Sequence, residues 1–383
     1  MRKEIVAALC LLGSLHATAQ ETPVVLSAAA AKEGITILKN NAATPVKHQG
    51  QTGTCWCFST ISMIESQCMR QGMAQPDLSE MYTVRNVYLL KARNYMLRQG
   101  KAQFDEGGLG HDVLKAASLF GLMPEAAYSG LIEGQTRFDH SKMVKALKAN
   151  LDTMLAKRPV PADWEQQYAS IMDEYMGGKP PATFTYNGKT YTPATYAKEV
   201  VKFNEADYVS LTSFTHHPYY SSFVLELPDN HANGAFYNVT LDELVKATKV
   251  AVNKGYTVMW DADVSNRGFV YKSGYAFSPV HDTVPNKTSP DPDLEEVKVT
   301  KEYRQGLFEQ LVTQDDHLMH ITGVGKSKGG KPFFIVKNSW GTASSPFEGY
   351  VYVSEPYFAV NTINVIVPKS SLDKELLKKL KIN

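Results

Sequence analysis

Gln49-Gly50-Gln51-Thr52-Gly53-Thr54-Cys55-Trp56-Cys57-Phe58 is the stretch on which the reading of this 383-residue chain turns. A glycine-containing loop runs into a helix expected to begin at about Cys55. Cys57, Ile61, Ile64 and Cys68 follow at spacings of four, three and four, which marks one buried stripe. Gly72 and Pro76 end the helix. A thiol at a helix start meets unpaired amides and the positive end of the macrodipole, and both favour the thiolate. Free cysteines are most often inert core residues. That reading suits Cys57, which lies on the apolar stripe. Cys55 reads as a nucleophile instead, because Trp56 follows it and Gln49 stands six residues upstream.

A nucleophilic thiol needs a base, and the base needs a group to orient it. His317 opens a strand-like run and is the candidate base. Asn338 follows 21 residues later, within Lys337-Asn338-Ser339-Trp340-Gly341, and would hold the imidazole. Trp340 would shield that bond from water. The Gln49 amide and the backbone N–H of Cys55 would donate to a developing oxyanion. His320 lies three residues beyond His317. In a strand it faces the other way, so it reads as a packing or surface histidine. Gly107-Gly108 permits close backbone approach, either as a simple turn or as a place where an extended peptide pairs as an added strand. His216-His217-Pro218 has no further ligand at metal spacing and reads as structural, so no metal is expected. No glycine-rich phosphate loop is present, and no cofactor is expected.

Residues 1–19 look like a secretory signal. Arg2 and Lys3 precede a mostly apolar run from Ile5 to Leu15, and Ala17-Thr18-Ala19 fits a cleavage site. The run is too short to span a bilayer, so the expectation is export, periplasmic or secreted, after cleavage near Ala19, with no stable membrane anchor. Removing Arg2, Lys3 and Glu4 from the 40 basic and 39 acidic residues leaves 38 of each. Such a neutral chain has no electrostatic footprint for nucleic acid. Three cysteines remain, Cys55, Cys57 and Cys68, and an odd count in an exported chain points to a free thiol. Cys57 and Cys68 would lie about 16 Å apart along one helix, too far for a disulfide.

The expected organisation is a helical lobe (residues 20–130) carrying the nucleophile, with further helices at 79–97 and 112–120. A helix-rich insertion (131–205) contains a hairpin turned at Asn187-Gly188. A strand-rich lobe (206–369) carries His317 and Asn338, with strands at 208–214, 222–227, 257–261, 317–324, 333–336 and 350–353 and a helix at 241–253. A short tail helix (370–383) has Ser370 and Asp373 as a capping box and Leu372, Leu376 and Leu380 as its stripe. The class is α+β, with a cleft between two lobes.

These segments resemble the papain superfamily, in particular its bleomycin hydrolase and aminopeptidase C branch. Gln49 to Phe58 is similar to the family's Gln…Gly-x-Cys-Trp-x-Phe segment. Asp105-Glu106-Gly107-Gly108 and Gly121-Leu122-Met123-Pro124 are similar to its substrate-loop region. His317-Leu318-Met319 resembles that branch's histidine strand. Lys337 to Gly341 and Glu348-Gly349-Tyr350 extend the match. The 262 residues between Cys55 and His317 favour this branch over papain itself.

The resemblance implies a papain-like two-lobe fold that hydrolyses peptide bonds through an acyl-enzyme. Cys55, His317, Asn338 and Gln49 would be catalytic, Gly107 and Gly108 substrate-binding, and Trp56 and Trp340 supporting. It implies peptide substrates and aminopeptidase action. An endopeptidase with an open cleft, or a catalytically silent peptide-binding module of the same fold, are the alternatives. The family's hexameric ring makes a homo-oligomer one assembly to expect. In the family an extended C-terminal tail enters the cleft and confines cleavage to amino termini. Here the sequence stops at Asn383, so that restriction is expected to be shorter, shifted or missing.

Overall fold

The computed structural model describes residues 34–281 and 287–382, and the signal-like segment lies outside them. Helix α1 (Cys55–Arg70) starts where the sequence predicts, and most of its residues are buried. Such all-round burial marks a central helix rather than a surface one. It is flanked by α2 (Glu80–Leu97) and α3 (Gly110–Phe120). Ser79 caps α2 by accepting from the Tyr82 N–H. Helices α4 (Ser141–Ala156) and α5 (Trp164–Tyr175) follow, then the hairpin of β2 (Phe184–Tyr186) and β3 (Lys189–Tyr191). Asn187 and Gly188 both adopt positive φ in its turn. Leu147, Leu151, Tyr168 and Tyr196 pack into the same core as α1 and α2, so residues 131–205 share the core of the helical lobe.

The second half builds one large sheet. Its order is β5 (Ser222–Val224), β6 (Ala235–Asn238), β4 (Tyr208–Thr212), β13 (Thr362–Pro368), β7 (Val258–Ala262), β10 (His317–Ser327), β11 (Pro332–Lys337), β12 (Tyr350–Ser354), β9 (Tyr275–Ala276) and β8 (Phe269–Val270). Strand β1 (Ile35–Asn40) adds to β10 from the side. The three central strands pair antiparallel, with Leu318 opposite Asp261 and Asp261 opposite Asn364. One face of this centre, with Met259, Leu318 and Ile366, packs in the core of α1. The other, with Trp260, Met319 and Val365, packs in a core that includes Leu244, Ala247 and Ala251 of α6 (Leu241–Asn253). Each fully buried Leu, Ile, Val or Met side chain among these contributes about 1.5–3 kcal/mol.

Strand β13 and helices α7 (Lys301–Glu309) and α8 (Glu355–Asn361) have no counterpart among the predicted elements. All seven residues of β13 are buried, so the alternation that betrays a half-exposed strand is absent. The tail helix α9 (Lys374–Leu380) buries Leu376 and Leu380 as predicted. The predicted capping box does not form. Lys369–Ser371 is a separate turn, and Asp373 at the N-cap makes no side-chain cap. Instead Asp373 pairs with Lys254 at 3.1 Å, fastening α9 to the end of α6. Among the described residues no helix is long and apolar enough to cross a membrane.

Candidate active site

Helix α1 packs on β10, and the candidate nucleophile and the candidate base are each the first residue of one of these two elements. Cys55 is the first residue of α1 and only 8% exposed. The backbone amides of Leu318 and Trp56 lie within hydrogen-bonding reach of its thiol. His317 is the first residue of β10. The preceding turn is fixed by Asp316, whose carboxylate accepts from the Val264 N–H at 3.1 Å and the Ser265 hydroxyl at 2.5 Å.

His317 Nε2 lies 2.8 Å from Asn338 Oδ1. The same oxygen accepts the Ser339 N–H at 2.7 Å, which fixes the orientation of the Asn338 amide. Nε2 must therefore carry the ring proton, leaving Nδ1 as the free lone pair of the neutral imidazole. Trp340 stacks on the His317 ring, with centroids 4.6 Å apart and planes 29° apart. Gln49 is brought in by the antiparallel approach of its loop, its N–H donating to Ser339 O at 2.9 Å. Its side-chain oxygen accepts from Ser339 Oγ at 2.6 Å, and its Nε2 donates to Thr52 O at 2.7 Å. One amide hydrogen of Gln49 remains uncommitted among the described residues.

Burial dominates the electrostatics. It pushes the Cys55 thiol up to about 12, reinforced by the charges of Asp315 and Asp261 and opposed by the Leu318 and Trp56 amides. It lowers His317, against the opposing hydrogen bond to Asn338. Burial thus works against charge on both the thiol and the imidazole. Desolvation opposes the thiolate that the helix start and the Leu318 and Trp56 amides favour.

Gly107 and Gly108 owe their identity to close approach, since neither has positive φ. A Cβ on Gly108 would sit 3.1 Å from the Trp56 ring, and one on Gly107 would sit 1.9 Å from an Asp229 carboxylate oxygen. Trp56 donates its Nε1–H to Glu106 O at 3.0 Å, and Glu106 in turn accepts the Gly53 N–H at 2.6 Å. These bonds tie the glycine loop to the nucleophile loop. His320 faces the opposite side, 2.9 Å from Ser62 Oγ of α1, so it is a packing histidine. Cys55, Cys57 and Cys68 are all free. Cys57 donates to Glu80 O in the core.

The fold supplies the carboxylate that sequence spacing did not place beside His216 and His217. The donor atoms of His216, His217 and Glu226 lie within 4.8 Å of one another. Glu226 bonds both rings, at 3.2 and 2.8 Å, and His216 Nδ1 accepts from Gln305. This partly exposed group is already internally satisfied. Ser339, which bonds Gln49, the carboxyls of Asp261 and Asp315, whose charges reach Cys55, and Asp229, which lies against Gly107, are contacts that sequence reasoning missed. Asp315 stands two residues before His317, but nothing local signals Asp229 or Asp261.

The Peptidase C1-like family profile matches residues 173–383, more than half of the chain, and the Papain family cysteine protease profile matches residues 33–88. The chain belongs to the Peptidase C1-like family and is a cysteine-type peptidase of the papain superfamily, in the aminopeptidase C and bleomycin hydrolase branch. It is 24% identical over 389 residues to Aminopeptidase W of Lactobacillus delbrueckii subsp. lactis, covering 88% of this chain and 83% of the relative. It is 25% identical over 390 residues to Aminopeptidase C of Listeria innocua serovar 6a, covering 87% and 82%. Bleomycin hydrolase of Mus musculus is 22% identical over 382 residues, with 87% and 82% covered. The crystal structure of PepW from Lactobacillus rhamnosis superposes with a TM-score of 0.69 at 19% identity, covering 94% of this chain and 92% of that one. That superposition defines the fold as papain-like, as the sequence led us to expect.

Proposed function

We propose that this peptidase is an aminopeptidase in which Cys55 attacks the peptide carbonyl and forms an acyl-enzyme. His317 Nδ1 takes the thiol proton as attack begins, and the imidazolium then protonates the leaving amine. Water, deprotonated by the same ring, hydrolyses the thioester and restores Cys55. Asn338 holds the ring throughout. The Cys55 N–H and the remaining Gln49 amide hydrogen stabilise the oxyanion. Burial penalises charge on the thiol and the ring, and the donors to the oxyanion offset part of that cost. The observation that carries this reading is the 2.8 Å bond from His317 to Asn338 beside the helix that begins with Cys55.

The names of the relatives, Aminopeptidase W and Aminopeptidase C, support the restriction to amino termini. The test uses matched fluorogenic peptide amides, free and blocked at the amino terminus, in reducing buffer with wild type and Cys55→Ala. Cleavage of only the free-amine substrate, lost in Cys55→Ala, is the expected result. Equal cleavage of both means an endopeptidase, and turnover surviving in Cys55→Ala rejects the assigned nucleophile. The charged, apolar and small-residue pattern of residues 1–19 supports export after cleavage near Ala19. Amino-terminal sequencing of the natural protein checks this.

A further inference from the structure

Trp340 has two sets of neighbours. It stacks on the His317 ring, and it lines an open recess of about 720 Å³. Gly50, the residue after the oxyanion donor Gln49, lines the same recess, with His48, Tyr271 and Lys272. Neither Gly107 nor Gly108 does. In the reaction the His317 imidazolium gives its proton to the leaving amine, so the leaving portion of a substrate lies beside that ring. The recess therefore borders the leaving-group end of the site, where the His317–Trp340 stack meets the Gln49 loop.

Its walls are fixed by packing. Trp340 meets the rings of Tyr271 and Phe269 edge-on, with centroids 5.0 and 6.1 Å away. His48 pairs with Trp340 across an antiparallel bridge, and its Nδ1 accepts the Gly50 N–H at 3.0 Å. With Nδ1 so engaged, Nε2 is the nitrogen that carries the ring proton. A Cβ on Gly341 would meet His48 Cδ2 at 2.9 Å, so the ring has little room to turn. Lys272 follows Tyr271 in a short 3₁₀ turn (Tyr271–Ser273), which brings it to the same wall.

The chemistry of this wall is one-sided. No aspartate or glutamate lines it. Ser344 and Ser345 donate their hydroxyls to Gly341 O and Tyr350 O, at 2.8 and 2.6 Å. The Lys272 ammonium and the His48 Nε2–H have no acceptor among the described residues. Two such donors beside an aromatic surface are the complement of a carboxylate, which takes charge-assisted hydrogen bonds.

We propose that Lys272 and His48 form a carboxylate seat for the leaving portion of the substrate. This rests on the peptidase reading of Cys55 and names a substrate class that reading leaves open: peptides with a carboxylate downstream of the scissile bond. That carboxylate is the free C-terminus of a short peptide or an acidic side chain. An extended chain advances about 3.3 Å per residue, so the peptide length at which the preference peaks measures where the seat lies.

The experiment measures kcat/KM of wild type on di-, tri- and tetraalanine, each as free acid and as carboxamide, and on alanyl-glutamyl-alanine amide. At least one acid should exceed its own amide by about threefold or more, the size of a partly exposed ion pair. A similar advantage of the glutamyl peptide over trialanine amide assigns an acidic side chain instead. The advantage should fall by about half or more in Lys272→Met, which keeps a long stem without the charge, and in about 0.5 M NaCl, which screens exposed pairs. A lysine with a merely structural role would alter acids and amides alike. The seat is overturned by wild type that favours no carboxylate, or by an advantage that survives intact in Lys272→Met. Should that variant fail to fold, the salt dependence of wild type decides. Should no peptide be turned over, the peptidase reading falls, and calorimetric titration of the same peptides decides the seat by itself. Tighter binding of a carboxylate peptide then keeps it, and equal or absent binding overturns it.

Discussion

Ser339 Oγ donates to Gln49 Oε1 at 2.6 Å, across 290 residues of sequence. That bond, with Gln49 Nε2 donating to Thr52 O, decides which end of the Gln49 amide faces the reacting carbonyl. Ser339→Ala removes a neutral hydrogen bond worth about 1 kcal/mol, so kcat should fall about fivefold with KM little changed. Gln49→Ala should cost about 10²–10³ in kcat, the usual loss for an oxyanion donor. A Ser339→Ala variant that alters KM and spares kcat would refute this assignment.

Asn338→Ala removes the acceptor that keeps the Nε2–H tautomer of His317 in place. The expected loss is about 10- to 100-fold in kcat, from a buried bond of about 1–3 kcal/mol. Stability should fall as well, because the Ser339 N–H loses its acceptor. Steady-state kinetics and a thermal melt separate the two effects.

The acid limb of kcat/KM should lie below pH 6.5. His317 must be neutral to accept the thiol proton, and burial lowers its pKa below the ordinary value. Activity is therefore kept as pH falls past 6.5 and is lost only at the depressed pKa. A pH–rate profile whose acid limb lies above 6.5 would contradict the buried, neutral ring.

Gly107→Ala places a methyl group 1.9 Å from an Asp229 oxygen. The Asp229 side chain or the glycine loop has to move, and kcat/KM should fall by about an order of magnitude or more. The clash is with a side chain, so Asp229→Ala in the same protein should relieve the steric part of the defect. A double-mutant cycle on thermal stability reads that relief directly. Additive losses would mean that the two groups do not touch.

Asp261→Asn should raise stability at neutral pH and above. The folded Asp261 carboxyl has its pKa pushed upward by burial and by Asp315, while the unfolded carboxyl titrates near 4. Between those values the unfolded state has released its proton and the folded state has not, so wild-type stability declines as pH rises from about 4. Asparagine keeps the shape, can still accept from Asn364 and carries no such penalty. The difference in Tm should grow by a few degrees from pH 5 to pH 8. A difference that stays flat or shrinks would reject a folded Asp261 carboxyl whose pKa burial has raised.

Much of the site was legible because its signals are local. Cys55 declared itself by the glycine turn before it and the apolar stripe after it, and α1 begins at that residue. Asn187-Gly188 announced its hairpin through residues that accept positive φ. His317 opens its strand as expected, and His320 turns to the other face because a strand repeats every two residues. Strand β13 stayed hidden because burial on both faces erases that period.

The sequence by itself determined which residues could carry the chemistry and the order in which the chain delivers them, since helix starts, turns and strand alternation depend on neighbours along the chain. Only the tertiary structure decided how Ser339 sets Gln49, why Gly107 must lack a side chain, and which carboxyls gather beside Cys55. It also decided how strongly burial opposes charge on Cys55 and His317. Desolvation and the approach of distant groups depend on packing in space, and no reading of adjacent residues contains them.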